Sequence, residues 1–501
     1  MEFCGFQQIL NLHDIFVKLC YWQATCKSST IHIGVRMMTR YSNKHLLALV
    51  LPLFLFLCVG CREVSKKALV EDIGIYQGYI DEIHADPYRM ISRKDFKLSA
   101  EKIKQDVSRS DNNTISIIDC FFILQELSAK IQDGHTRIRL PLSIFSQKKN
   151  VFPLRIKFLD DKFYVIENFS HDSTLDYCTL IAINGLPIQA LYSKSKHLFN
   201  TSLDHVRYLM FEDHFTLILI DYLKIKPPWR VSYEKNSKAM IAELNPISPD
   251  QVTSEQNPHD RRYRHYSIFV ENEEIPILDL PNFSYGSQES YQNFIDSFFR
   301  KYIDANYLII DLRHNRGGSG YWGFYLLDHF SDEPYRIANK FAFKVSDKMR
   351  KSIFSNKAGA QLKDARNGEY FEIEKHKFWT PHNMSSKFRG KVFLLISEET
   401  FSAGVVVAAV FKANKMGMVI GRETASRIRF CSDSLTLKLP NSGVKVTIPV
   451  AVYELPGKNP DRGVFPDIMA SSKFDDYRRD RDVEIEIIKE MIQNEIDDIR
   501  S

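Results

Sequence analysis

Ser402 lies in the run Thr400-Phe401-Ser402-Ala403-Gly404, between the apolar stretches VFLLIS (392–397) and VVVAAVFKAN (405–414). If the first stretch is a strand and the second a helix, the serine sits on a sharp turn. Its Oγ is then exposed at a helix N-terminus, where a nucleophile is well placed. Ala403 and Gly404 are small, so backbone N–H groups can approach a bound carbonyl, and the helix dipole favours negative charge there. On its own, Ser-Ala-Gly reads first as a plain N-cap. A second run, DLRHNRGGS (311–319), ends an apolar stretch in a polar loop with two glycines. Adjacent glycines can present N–H groups as a nest that holds an oxyanion. The run lacks the G-x-x-x-x-G-K-[ST] pattern of a phosphate loop. A third, Asp133-Gly134-His135-Thr136, supplies an imidazole whose ordinary pKa of ~6.5 suits a general base near neutrality.

These side chains need elements to position them. Residues 65–131 read mainly helical. Ile117, Ile118, Phe121, Phe122, Leu124, Leu127 and Ile131 recur at helical spacing and give one apolar face that stops at the Asp133-Gly134 turn. From 151 to 240 short alternating runs (FPLRIKF, KFYVIENF, TLIAINGLP) indicate a small β-rich module with one or two helices. The polar segment 242–266, with three prolines, reads as a linker. Beyond it, IPILDL, NYLIIDL, VFLLIS and MVIG are short apolar strands that alternate with the helical runs YQNFIDSFFRKYI, YWGFYLLDHF and VVVAAVFKAN. Near-continuous apolar strands alternating with helices predict an α/β core buried on both faces. A charged amphipathic helix is expected over 478–499.

Composition limits the alternatives. The chain has 501 residues, 44% of them hydrophobic and 26% charged, so about three domains are expected. Collagen, wholesale disorder and a polytopic membrane protein are excluded. A net charge of +5, from 67 basic and 62 acidic residues, is too balanced to argue for a nucleic-acid partner. Of eight cysteines, only Cys120, Cys178 and Cys431 lie beyond residue 61. They read as buried thiols with at most one bridge. Cys58-Val-Gly-Cys61 ends an apolar run and does not open a zinc or redox loop. His314, His329, His382 and the pair His259/His265 show no metal-ligand spacing, so neither metal nor cofactor is expected.

Taken together, DLRHNRGG, the downstream ISEETFSAG, GRETAS (421–426), DGHT and the late GVFPDI (463–468) resemble peptidase family S41, in family order from about 68 to 470. That family includes the C-terminal processing (tail-specific) proteases and the tricorn-like peptidases. The resemblance implies a twisted, crotonase-like α/β core with a helical N-terminal domain and a small PDZ-like module. It implies Ser402 as nucleophile, with the N–H groups of Ala403 and of Gly317 or Gly318 as oxyanion hole. Arg313 and Asn315 would brace the glycine loop. One branch of the family uses a Ser-Lys dyad, but Arg427 stands at the lysine position, and arginine cannot be deprotonated. Val405 stands where that branch tends to carry a carboxylate. His135 matches the histidine of the tricorn-like branch. For the orienting carboxylate the first candidate is Asp461, with Asp467 and Glu423 as alternatives. The expected activity is a serine endopeptidase acting on protein or peptide substrates. The rival reading is an inactive S41-fold protein that binds a peptide or other ligand. A different acyl hydrolase using the same serine is a third.

The N-terminal stretch reads as an address. Leu46–Gly60 is an uncharged apolar run preceded by Arg40, Lys44 and His45 and followed at once by polar residues, the pattern of a secretory signal. Val59-Gly60-Cys61 resembles a lipobox, which would make Cys61 the lipidated mature N-terminus of an envelope lipoprotein. Cys58 departs from the usual leucine. Translation is expected to begin at Met37 or Met38, leaving 1–36 as an extension without a role in the fold. The expected organisation is therefore 37–61 signal, 62–145 helical domain, 146–241 PDZ-like module, 242–266 linker, 267–475 peptidase core and 476–501 C-terminal helix.

Overall fold

The computed structural model describes residues 63–140, 150–252, 262–352, 365–373, 377–384 and 387–500. The expectations for the signal, Cys61 and residues 1–36 lie outside the described residues. Among those residues, no helix is long and apolar enough to cross a membrane.

Three helices open the described chain: α1 (Lys66–Ile83), α2 (Arg93–Arg109) and α3 (Ile117–Ala129). Each starts at a serine (Ser65, Ser92, Ser116) whose side chain accepts a backbone N–H of the first turn, the usual N-cap device. The apolar face read from the sequence packs inward through Phe121, Phe122, Leu124 and Leu127. Buried Asp72 of α1 accepts the backbone N–H groups of Asn441 and Ser442, which ties the helices to the core.

The β-rich module is an antiparallel sheet of β1 (Leu154–Leu159), β2 (Lys162–Asn168), β3 (Thr179–Ile183), β4 (Trp229–Lys235) and β5 (Lys238–Leu244). Helices α4 (Ile188–Ser195) and α5 (Asp204–Asp213) lie between β3 and β4. Asn236 and Ser237 both have positive φ, the two-residue hairpin geometry, and this turn carries β5 to Leu244. Both ends of the expected 242–266 linker are therefore strand, because β5 pairs with β4 and Arg264–Val270 opens the next sheet.

The core sheet runs β6 (Arg264–Val270), β7 (Glu273–Asp279), β8 (Tyr307–Asp311), β9 (Lys391–Ile396), β10 (Met418–Gly421) and β11 (Ile468–Met469). All neighbours are parallel except β6–β7. Between them lie α6 (Gln288–Lys301), α7 (Gly320–Leu327) and α8 (Ala403–Ala413), and α9 (Val483–Arg500) follows β11. Leu308, Ile310, Leu394 and Ile396 face Phe298, Phe299, Val407 and Phe411 on one side. Ile309, Leu395 and Ile420 meet Ile485, Ile488 and Ile492 of α9 on the other. Burial on both faces explains why these strands read as unbroken apolar runs.

A second, antiparallel sheet was not anticipated from the sequence. It orders 370–372, 340–344, 445–454 and 429–438, and Arg137–Arg139 pairs with Thr447–Lys445 of its third strand. The helical N-terminal segment therefore ends as a strand of the core.

Candidate active site

The site forms where the two neighbouring parallel strands β8 and β9 end. Ligands of open α/β sheets bind at the carboxyl ends of the strands. The glycine loop follows β8, and the serine turn follows β9. Thr400 Oγ1 donates to Leu312 O at 2.8 Å, and Phe401 N–H donates to Asn315 O at 2.8 Å, so the two loops are stitched together. Ser402 has φ 54° and ψ −118°. A non-glycine residue held there costs about 1–3 kcal/mol, and such strain concentrates at functional positions.

The backbone pairing of Arg137–Arg139 with the second sheet sets down His135 two residues earlier. Its Nε2 lies 3.0 Å from Ser402 Oγ, across 267 residues of sequence. The imidazole is stacked between Phe401, with centroids 4.6 Å apart, and Phe430, at 5.3 Å, and its side chain is only 12% exposed. This burial, reinforced by the Arg137 charge, pushes its pKa down to about 3. The ring is therefore neutral at physiological pH.

Asp133 supports the imidazole. One carboxylate oxygen accepts the His135 backbone N–H at 2.7 Å and lies 3.9 Å from Nδ1. The other accepts Cys431 N–H at 3.0 Å. Burial raises the Asp133 pKa, and these backbone bonds oppose the rise. His84 and Cys431 complete a cluster with Asp133 whose possible ligand atoms lie within 4.8 Å of one another. Both His84 ring nitrogens are already engaged, with Thr136 Oγ1 at 2.7 Å and Asp86 N–H at 3.0 Å. The cluster is thus a hydrogen-bonded support for the DGHT turn.

The candidate carboxylates are engaged by other groups. Asp461 is corrected: its side chain is 58% exposed and paired with Arg89 at 2.5 Å. It sits on an open loop turn and leaves the place beside His135 to Asp133. Asp467 pairs with Lys412 and accepts Val419 N–H. Glu423 is held by Arg462 and by the Gly463 N–H. The DGHT motif itself contained the nearer carboxylate, two residues before the histidine.

The glycine loop separates its two candidates. The Gly317 N–H donates to Asn315 Oδ1 at 2.9 Å, and Asn315 Nδ2 donates to Leu280 O at 2.7 Å. Gly317 is thereby committed to the loop, which leaves the Gly318 and Ala403 N–H groups as the candidate oxyanion donors. A Cβ on Gly317 would lie 2.6 Å from Ser402 Cβ, so the loop packs directly on the serine. Arg313 pairs with Asp311, Asp482 and Glu484. Arg316 pairs with Glu399 at 3.0 Å and with Asp213 of the β-rich module at 2.7 Å. Burial works against the Glu399 charge, but His314 and Arg316 outweigh it and hold its pKa well below the usual range. Arg427, at the lysine position, donates to Gln132 O at 2.8 Å and to Ser202 Oγ. It joins the DGHT turn to the module and offers no base. Arg316 and Phe430 were missed in the sequence; Arg316 stood inside the DLRHNRGG run.

Residues 274–470 match the model of peptidase family S41. The match spans the α/β core and makes that core similar to a family of serine peptidases. The fold agrees. The structure of mature CPAF complexed with lactacystin superposes with a TM-score of 0.64 at 12% identity, covering 86% of this chain and 98% of that one. A second structure of mature CPAF gives 0.63 at 13%, covering 82% and 94%. No curated protein sequence matches the chain.

Proposed function

We propose that the chain is a serine endopeptidase of the cell envelope that uses Ser402 as nucleophile and His135 as general base. The contact between His135 Nε2 and Ser402 Oγ at 3.0 Å carries this reading. Nε2 takes the hydroxyl proton as Oγ attacks the peptide carbonyl. The Gly318 and Ala403 N–H groups receive the oxyanion, and the imidazolium then protonates the leaving amine. Water, deprotonated by the same nitrogen, releases the acyl group from Ser402. Asp133 fixes the turn that carries the base. This arrangement follows the tricorn-like branch, since Arg427 rules out the lysine dyad. The module 154–244, read as PDZ-like, would guide extended chains to the cleft by strand addition.

The test is turnover of internally quenched peptides by purified protein, run beside a small ester. Cleavage of peptides supports the endopeptidase; ester cleavage alone would make it another acyl hydrolase, and neither would leave a binding protein. Envelope placement rests on Leu46–Cys61. Replacing Cys61 with alanine is expected to move the protein from the membrane fraction to the soluble one; unchanged fractionation would refute lipidation.

The pH profile follows from the buried imidazole. Because the folded pKa is about 3, kcat/KM is expected to stay level well below pH 6. An acid limb centred near 6.5 would show a solvated base. Stability moves the other way. The unfolded chain protonates this histidine near ~6.5 and the folded one does not. The unfolded state therefore binds more protons between those values, and His135 destabilises the fold as pH falls through that window.

A further inference from the structure

A cavity of about 380 Å³ opens beside His135 and Phe401. That is near the lower end of the ~300–1,000 Å³ range of ligand pockets, room for one large side chain. Its far wall comes from the β-rich module: Phe199, Leu203, Val206, Leu209 and Leu217 line it. Leu203 and Val206 pack with Ala425 of the core, and Met210 and Phe401 close over them. The charges at its edge are already engaged. Asp213 and Glu399 hold Arg316, and Arg427 is bonded to Gln132 O and Ser202 Oγ. Arg137, whose guanidinium lies 5.2 Å from the Phe401 ring centroid, has its Nε–H on Gly134 O. Asp133, the remaining carboxylate of the lining, accepts the His135 and Cys431 N–H groups, so every lining carboxylate already has a partner, and Arg137 opposes a basic side chain.

We infer that this cavity is a specificity pocket for a large apolar side chain, phenylalanine, leucine or methionine, flanking the scissile bond of a peptide. The inference rests on the peptidase reading above. Its walls include the base and the residue before the nucleophile, so a side chain seated there belongs to a residue next to the attacked carbonyl. The module then supplies one wall of the active site besides guiding the chain. Hydrophobic pockets discriminate by roughly 10–200-fold per methylene-sized difference, so a bulky apolar residue should be favoured over alanine by at least tenfold.

The experiment compares internally quenched peptides that differ only at one residue (Phe, Leu, Ala, Asp or Lys), with mass spectrometry locating each cut. Phe and Leu peptides should exceed Ala by at least tenfold in kcat/KM, and Asp and Lys should fall below it. The Met210→Trp variant, which enlarges a side chain lining the cavity, should bring the Phe/Ala ratio toward one. Cleavage without preference overturns the pocket and leaves the peptidase intact. Binding to the Ser402→Ala protein reads the pocket without turnover. At least tenfold tighter binding of the Phe peptide than of the Asp peptide supports it, and equal binding overturns it.

Discussion

Replacing Ser402 with alanine is expected to abolish labelling by a fluorophosphonate probe and to reduce peptide hydrolysis by roughly a million-fold, as in serine proteases whose nucleophile is removed. The covalent step needs an oxygen at that point, and the Ser402 turn places it at the tip of α8. His135→Ala should cost a comparable factor, because the serine hydroxyl then has no proton acceptor at 3.0 Å. The two losses should not add. Nucleophile and base act as one unit, so the double variant should be about as slow as either single one. Retained labelling in Ser402→Ala would remove this serine from the chemistry. Near-normal hydrolysis by His135→Ala would mean that the proton goes elsewhere.

The second large effect is expected at Gly317, through space and backbone angle. Its φ is +97°, and a Cβ there would meet Ser402 Cβ at 2.6 Å and Phe401 O at 3.0 Å. Gly317→Ala must therefore push the serine turn away from the glycine loop. Misplacing one oxyanion donor costs about 10²–10³ in kcat, and displacement of Oγ from His135 adds to this. Gly368 is the control. It has φ +90° with open space around its Cβ position, and it lies in a turn of the second sheet. Gly368→Ala should lower thermal stability through the same backbone strain and leave kcat unchanged. If Gly317→Ala keeps its activity, the loop does not hold the serine in place.

Much of this site was legible before folding. Strand, turn and helix around Ser402 follow from VFLLIS, Ser-Ala-Gly and VVVAAVFKAN, because a strand buried on both faces must be apolar along its length. The paired glycines read as a close-packed loop, since only they adopt these backbone angles cheaply. The second sheet escaped notice: residues 445–454 and 429–438 are strands whose partners, 340–344 and 137–139, lie far away in sequence.

What the chain order alone determined, then, is the local apparatus: a serine on a helix tip, a glycine loop, a histidine in a turn, and an arginine where a lysine would have been the base. Only the tertiary structure decided that pairing of 137–139 with 445–447 brings His135 to Ser402, that Asp133 and not Asp461 supports it, and that Gly317 spends its N–H on Asn315. The physical reason is that backbone conformation is set mainly by neighbours in sequence. Hydrogen-bond partners, burial and the resulting proton affinities are set by residues that only the fold makes neighbours.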